Sequence, residues 1–150
     1  MATLFTDIYE LFLVEIIDWK IDRIYAASTP TFETYLQGFL VRAVPKFTNC
    51  EQSLVYSLTT DSFTSDFTVV EKSILTNLMT IEWMNKEIQN ISQFNLLLND
   101  TDFKIHAAGQ NLREKSEYKD RLRETVSQDM VDYGISNISW SDWADGEYGI

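Results

Sequence analysis

The stretch from Thr68 to Ile91 constrains the fold more than any other part of the chain. Thr68-Val69-Val70-Glu71 has the capping-box pattern, in which the threonine oxygen accepts from the third residue's N–H and the glutamate reaches back to the cap. Val70, Ile74, Leu78, Ile81, Met84 or Asn85, Ile88 and Ile91 then recur at helical spacing. Leu75, Met79, Glu82 and Trp83 form a second row beside them. The remaining polar face (Ser73, Thr76, Asn77, Thr80) is narrow and uncharged. A helix with so little polar circumference has to be surrounded, so the spacing predicts a central helix on which the rest packs.

The flanking segments supply what would surround it. Phe5, Ile8, Phe12, Ile16 and Trp19 lie at helical spacing, with Leu4, Leu11, Leu13 and Ile17 widening the stripe. This first helix is expected to end before Ile16–Tyr25, where Ile17, Trp19 and Ile21 alternate. A second helix starts with Thr29 as N-cap and Pro30 at the first helical position, where its missing N–H costs nothing. It carries Phe32, Tyr35, Leu36, Phe39, Leu40 and Ala43, and Pro45 stops it. Between Lys46 and Phe67, two β-prone runs, Leu54–Leu58 and Phe63–Phe67, flank a turn-like Thr59–Ser62. A lone hairpin is marginal in water, so it must pack on the helices or pair with another chain, where an exposed edge would be a docking site.

After a connector over Ser92–Thr101, capped by Asp100 or Asp102, a last helix is predicted from Asp102 to Tyr133. Ile105, Ala108, Leu112, Leu122, Val126, Met130 and Tyr133 mark its seam, interrupted by Lys115 and Lys119. Its middle, Arg113 to Arg123, is almost wholly charged, with Glu117 and Arg121 at the favourable i,i+4 spacing. A helix of roughly 45 Å with a solvated middle is expected to project beyond a small body. The periodicity breaks at Gly134. The expected fold is mainly α, a small helical bundle with a long C-terminal helix, a short β-hairpin near 54–67 and an extended C-terminal tail. It forms one domain, with residues 1–133 as body and 134–150 as tail. The tail's Trp140, Trp143, Tyr148 and Ile150 stand among Ser, Asn, Asp and Gly without a period, so they cannot be buried on the tail itself. Aromatic side chains of this kind anchor interfaces, in cis on the chain's own helices or in trans on a neighbour.

Composition closes off most chemistry. Twenty-three acids against twelve bases give a net charge of −11 over 150 residues, which argues against free binding to nucleic acid or to an anionic membrane surface. One cysteine, Cys50, cannot form an internal disulfide, which favours an intracellular origin. With a single histidine as well, a His- or Cys-based metal site is not expected. No basic n-region or spanning segment is evident, so a soluble protein is expected. His106 sits beside Ala107 and Ala108 without a nucleophile motif, and reads as a surface or interface residue. Asp142, Asp145 and Glu147 lack the spacing of a calcium loop, despite Asp145-Gly146-Glu147. No glycine-rich phosphate loop is present. No catalytic, cofactor-binding or metal residue is selected, and a protein that is not an enzyme and uses no cofactor is expected.

The order of pieces from Thr29 to Tyr133 nevertheless resembles a known family. The residues that carry it are Ala43-Val44-Pro45-Lys46-Phe47, the run Leu54–Leu58, Thr68-x-x-Glu71 leading into Ile74-Leu75-Thr76-Asn77-Leu78-Met79, and Glu82-Trp83. Asp100-Thr101-Asp102-Phe103-Lys104, Asn111-Leu112-Arg113-Glu114 and Asp129-Met130-Val131-Asp132-Tyr133 complete it. Over about two-thirds of its length the chain resembles the small head–tail connector (adaptor, head-completion or neck) proteins of tailed bacteriophages. These are packing and capping patterns, and the aromatic tail is outside them. The resemblance implies a homo-oligomeric ring in the virion neck, between portal and tail or neck proteins, assembled in the host cytoplasm. Genomic DNA would pass through without sequence-specific binding, and acidic walls suit such a channel because they repel phosphate. The rival expectation is an acidic soluble binding module that sequesters or inhibits a basic partner protein.

Overall fold

The computed structural model describes the backbone of residues 1–16, 19–97 and 102–139, and the side chains of 1–16, 21–92 and 109–139. The elements are α1 (Phe5–Glu15), α2 (Trp19–Ala27), α3 (Thr29–Ala43), a 3-10 turn (Val44–Lys46), β1 (Tyr56–Ser57), β2 (Ser62–Phe63), α4 (Val69–Leu97) and α5 (Asp102–Ser136). The fold is therefore mainly helical, with a two-stranded antiparallel hairpin and a long last helix, as the sequence predicts.

α4 is the central helix. Its capping box is formed: the Thr68 N–H donates to Glu71 Oε2 at 2.8 Å, and the Glu71 N–H donates to Thr68 Oγ1 at 3.3 Å. Ile74, Leu75, Leu78, Met79, Ile81, Trp83 and Met84 are all buried, on both rows of the predicted stripe. Thr76 and Thr80 are buried too, and satisfy their hydroxyls by donating to the carbonyls of Lys72 and Thr76 one turn back. Val70, expected on the seam, is exposed, because its neighbour Glu71 is the first-turn residue that turns inward. The helix also runs through the expected connector to Leu97, since no glycine or proline interrupts it there.

α1 and α3 cover one side of α4. Phe12 meets Trp83 edge-on at 6.4 Å, and Asp7 faces Lys72 at 3.9 Å. Lys86 of α4 lies over the Tyr35 ring of α3 at 4.5 Å. α1 stops at Glu15 as expected, and from Trp19 the alternating stretch is itself helical, as α2. Ile21 is buried and Ile24 packs against the core, a pair at i,i+3, which a short apolar run cannot distinguish from alternation. Ser28, one residue earlier than expected, is the N-cap of α3, and Pro30 lies in its first turn.

α5 runs antiparallel to α4 on another side. Tyr133 reaches Glu71 near the start of α4, while Lys115 pairs with Glu87 further along it. The helix continues through Gly134 to Ser136, past the predicted break. Glycine weakens a helix without necessarily ending it, and here the missing side chain is used. A Cβ on Gly134 would stand 3.2 Å from Asn49 Nδ2, the group that donates to the Met130 carbonyl at 2.7 Å.

The hairpin is shorter than its two β-prone runs, pairing Tyr56 with Phe63 and Ser57 with Ser62. Its turn contains Asp61 at φ 48°, a left-handed conformation that aspartate tolerates. The outer edge of β2 is not a docking site. The chain's own Thr3 and Leu4 pair along it: the Phe63 N–H donates to the Thr3 carbonyl at 2.9 Å, and Leu4 bridges Ser62. Phe5 then seals the hairpin from within, 5.2 Å from Phe63 and 5.9 Å from Tyr56. The requirement that the hairpin pack or pair is met inside one chain.

Candidate interaction surfaces

Three glutamates of α4, Glu71, Glu82 and Glu87, are buried, and each has a partner. A buried carboxylate without one would be strongly destabilising. Glu71 accepts from the Tyr133 hydroxyl through Oε1 at 2.6 Å while Oε2 serves the cap. The same hydroxyl accepts from the Glu51 N–H at 3.0 Å. Burial, with Glu71 adding to it, pushes the Tyr133 phenol up to about 12. Glu82 is 7% exposed and pairs with Lys46, whose side chain is 46% exposed and reaches it from solvent. Glu87 faces Lys115 at 3.6 Å. All three join α4 to a different part of the chain, so they position elements. Cys50 is half-buried beside this network, and burial raises its thiol, which disfavours the reactive thiolate.

Two of the clefts between the helices stand out by their lining. The first, about 630 Å³, lies among α1, α2 and α3, with apolar Leu13, Ile16, Ile21, Tyr25 and Phe32 and the carboxylates of Glu10 and Asp22. The second, about 670 Å³, lies where α3, α4 and α5 meet, and is lined by Tyr35, Phe39, Arg42, Glu82, Lys86 and Lys119 among others. Lys46 lies beside it, bound to Glu82. Its ammonium is held below the usual lysine value by burial, Arg123 and Arg42, which places those two cations close by. Five cations thus gather in a chain of net charge −11. Nothing in the sequence signals this cluster, because its members are spread from residue 42 to residue 123 on separate elements.

The sequence-selected interface residues Trp140, Trp143, Tyr148 and Ile150 lie outside the described residues, as does the side chain of His106. Among the described residues, no group of three or more His, Cys, Asp or Glu side chains could hold a metal ion. No described helix is long and apolar enough to cross a membrane. α5 stands out for its unburied surface: of its described side chains from residue 109 onward, only Val126 and Tyr133 are buried. No protein-family model, no curated protein and no solved structure matches the chain.

Proposed function

We propose that the chain is a structural component of a tailed-phage virion, a subunit of a head–tail connector ring through which DNA passes without being gripped. The observation that carries this reading is the surface of α5. A helix of 35 residues, about 52 Å long, of whose described side chains from residue 109 onward only Val126 and Tyr133 are buried, has surface available for neighbours. The resemblance of Thr29–Tyr133 to connector proteins supplies the kind of neighbour, and the acidic balance suits a channel wall that phosphate should not bind. Head-to-tail contacts between identical subunits close into a ring when the rotation between them permits.

The test is quantitative mass spectrometry of purified particles from the source lysate, scaled to the most abundant shell protein. A low and fixed copy number, one ring's worth, is expected. Hundreds of copies would move the chain to a tube or shell, and absence from particles would overturn the reading. The first cleft favours one rival. Glu10 and Asp22 beside Leu13, Tyr25 and Phe32 offer a basic, partly apolar segment both charge and surface, as an acidic module that sequesters a basic protein would. Absence from particles would promote that function.

A further inference from the structure

The second cleft is a local reversal of the molecule's charge. Arg42, Lys46, Lys86, Lys119 and Arg123 stand in or beside it against one lining carboxylate, Glu82, which Lys46 already pairs. Among the described residues, Arg42, Lys86, Lys119 and Arg123 form no ion pair, and Arg42, Lys86 and Arg123 are exposed. The walls are aromatic: Lys86 lies 4.5 Å over Tyr35 and 5.6 Å over Phe39. Such a cleft fits a short segment that is acidic, aromatic and free of bases. Residues 140–150 are that segment, with Trp140, Trp143 and Tyr148 interleaved with Asp142, Asp145 and Glu147, and no Lys or Arg.

Chain geometry limits how much of this segment a molecule can place in its own cleft. Lys119, the α5 residue lining the cleft, lies 17 residues before Ser136, about 26 Å along the helix. Trp140 follows Ser136 by only four residues, at most about 14 Å of extended chain. Trp140 therefore falls short of Lys119 in its own molecule, whereas Trp143 and the residues after it, at about 24 Å and beyond, come within reach, so only a neighbour can seat both tryptophans beside Lys119. We propose that the cleft lined by Arg42, Lys86 and Lys119 receives the acidic aromatic segment Trp140–Ile150 of a second copy of this chain, giving a head-to-tail contact. The contact is heterologous, so it can propagate from subunit to subunit. The proposal deepens the connector reading by naming the two surfaces that would join its subunits, and rests on that reading only for the biological setting.

The experiment measures the oligomeric state of the full chain by sedimentation velocity, with circular dichroism to confirm that each variant is folded. Self-association is expected for the wild-type chain. It should weaken at least about tenfold both in the cleft variant Arg42→Glu/Lys119→Glu and in the segment variant Trp140→Ala/Trp143→Ala. Mixing the two variants should then restore a 1:1 dimer, because one retains the segment and the other the cleft. A wild-type chain that stays monomeric, a cleft variant that assembles like wild type, or a mixture that gives no dimer would each overturn the proposal. If the cleft instead bound a short DNA duplex in a manner abolished by Arg42→Glu/Lys119→Glu, with no self-association, the occupant would be phosphate and the proposal wrong. Ring-level copy number in particles alongside an assembly-competent cleft variant would sink the contact but spare the connector reading. Cleft-dependent assembly of a chain absent from particles would do the reverse.

Discussion

Tyr133 is the residue through which the C-terminal end of α5 is fixed. Its hydroxyl donates to Glu71 and accepts from Glu51, and its ring packs 5.6 Å from Phe47, so one side chain touches α4, the loop before the hairpin and the segment after α3. Tyr133→Phe keeps the ring but leaves a buried carboxylate oxygen and a backbone N–H without this partner, and should cost about 1–3 kcal/mol. Chemical denaturation read by circular dichroism measures it. The same contact sets an alkaline limit. The phenol's value in the folded chain, about 12, exceeds its ordinary 10.0, so the folded state holds that proton more tightly. The resulting stabilisation is complete below pH 10 and is lost as pH rises from there through about 12. Tyr9 is raised as well, by burial and then by Asp61 and Glu33, and acts in the same direction. Melting temperature followed from pH 9 to pH 12 should fall more steeply in the wild type than in Tyr133→Phe, whose residue 133 cannot ionise. The apolar rhythm marked Tyr133 as a core residue, but its two polar partners, far away in sequence, were not legible.

At the level of elements, legibility followed periodicity. α3, α4 and α5 carry long apolar repeats or cap signals, and each starts within a residue of where the sequence places it, although α4 and α5 end later. Short pieces were harder. Ile17, Trp19 and Ile21 fit either period, and only burial of Ile21 against the core selects the helix. The hairpin could be read, but not the strand that protects it: Thr3 and Leu4 have no strand signature and become an edge only because α1 begins there. Their role also takes the β2 edge out of the docking surfaces that the hairpin's sequence suggested. Gly38 offers a direct test of propensity within an element. It lies inside α3, and a Cβ there would meet nothing within 4 Å. Gly38→Ala should therefore stabilise the fold by about 0.5–1 kcal/mol, raising the thermal midpoint by several degrees.

On the scale of the whole molecule, the division between body and tail has to be drawn later than the apolar rhythm suggests. A truncation at Gly134 would remove the last residues of α5 and the helix position against which Asn49 packs. Removing residues 140–150 instead spares every described element. That variant should retain its helical circular dichroism and melt within about 1 °C of the full chain, while losing self-association in sedimentation. A large fall in melting temperature would place the tail on its own body. The basic cleft shows why the surface was less legible than the core. A core residue declares itself through a local repeat, whereas a charge cluster assembled from three helices exists only after they have packed.

Glu71 links these scales. It closes the first turn of α4 and receives the last turns of α5 with the same carboxylate. The amides of Thr68, Glu71 and Glu51 should consequently exchange with solvent in one shared opening event, slow and of nearly equal free energy, even though Glu51 lies outside any helix. Detaching the end of α5 would free the Glu51 amide and uncover the Glu71 carboxylate on which the cap rests. The entry to the central helix and the exit of the last one then behave as a single cooperative latch.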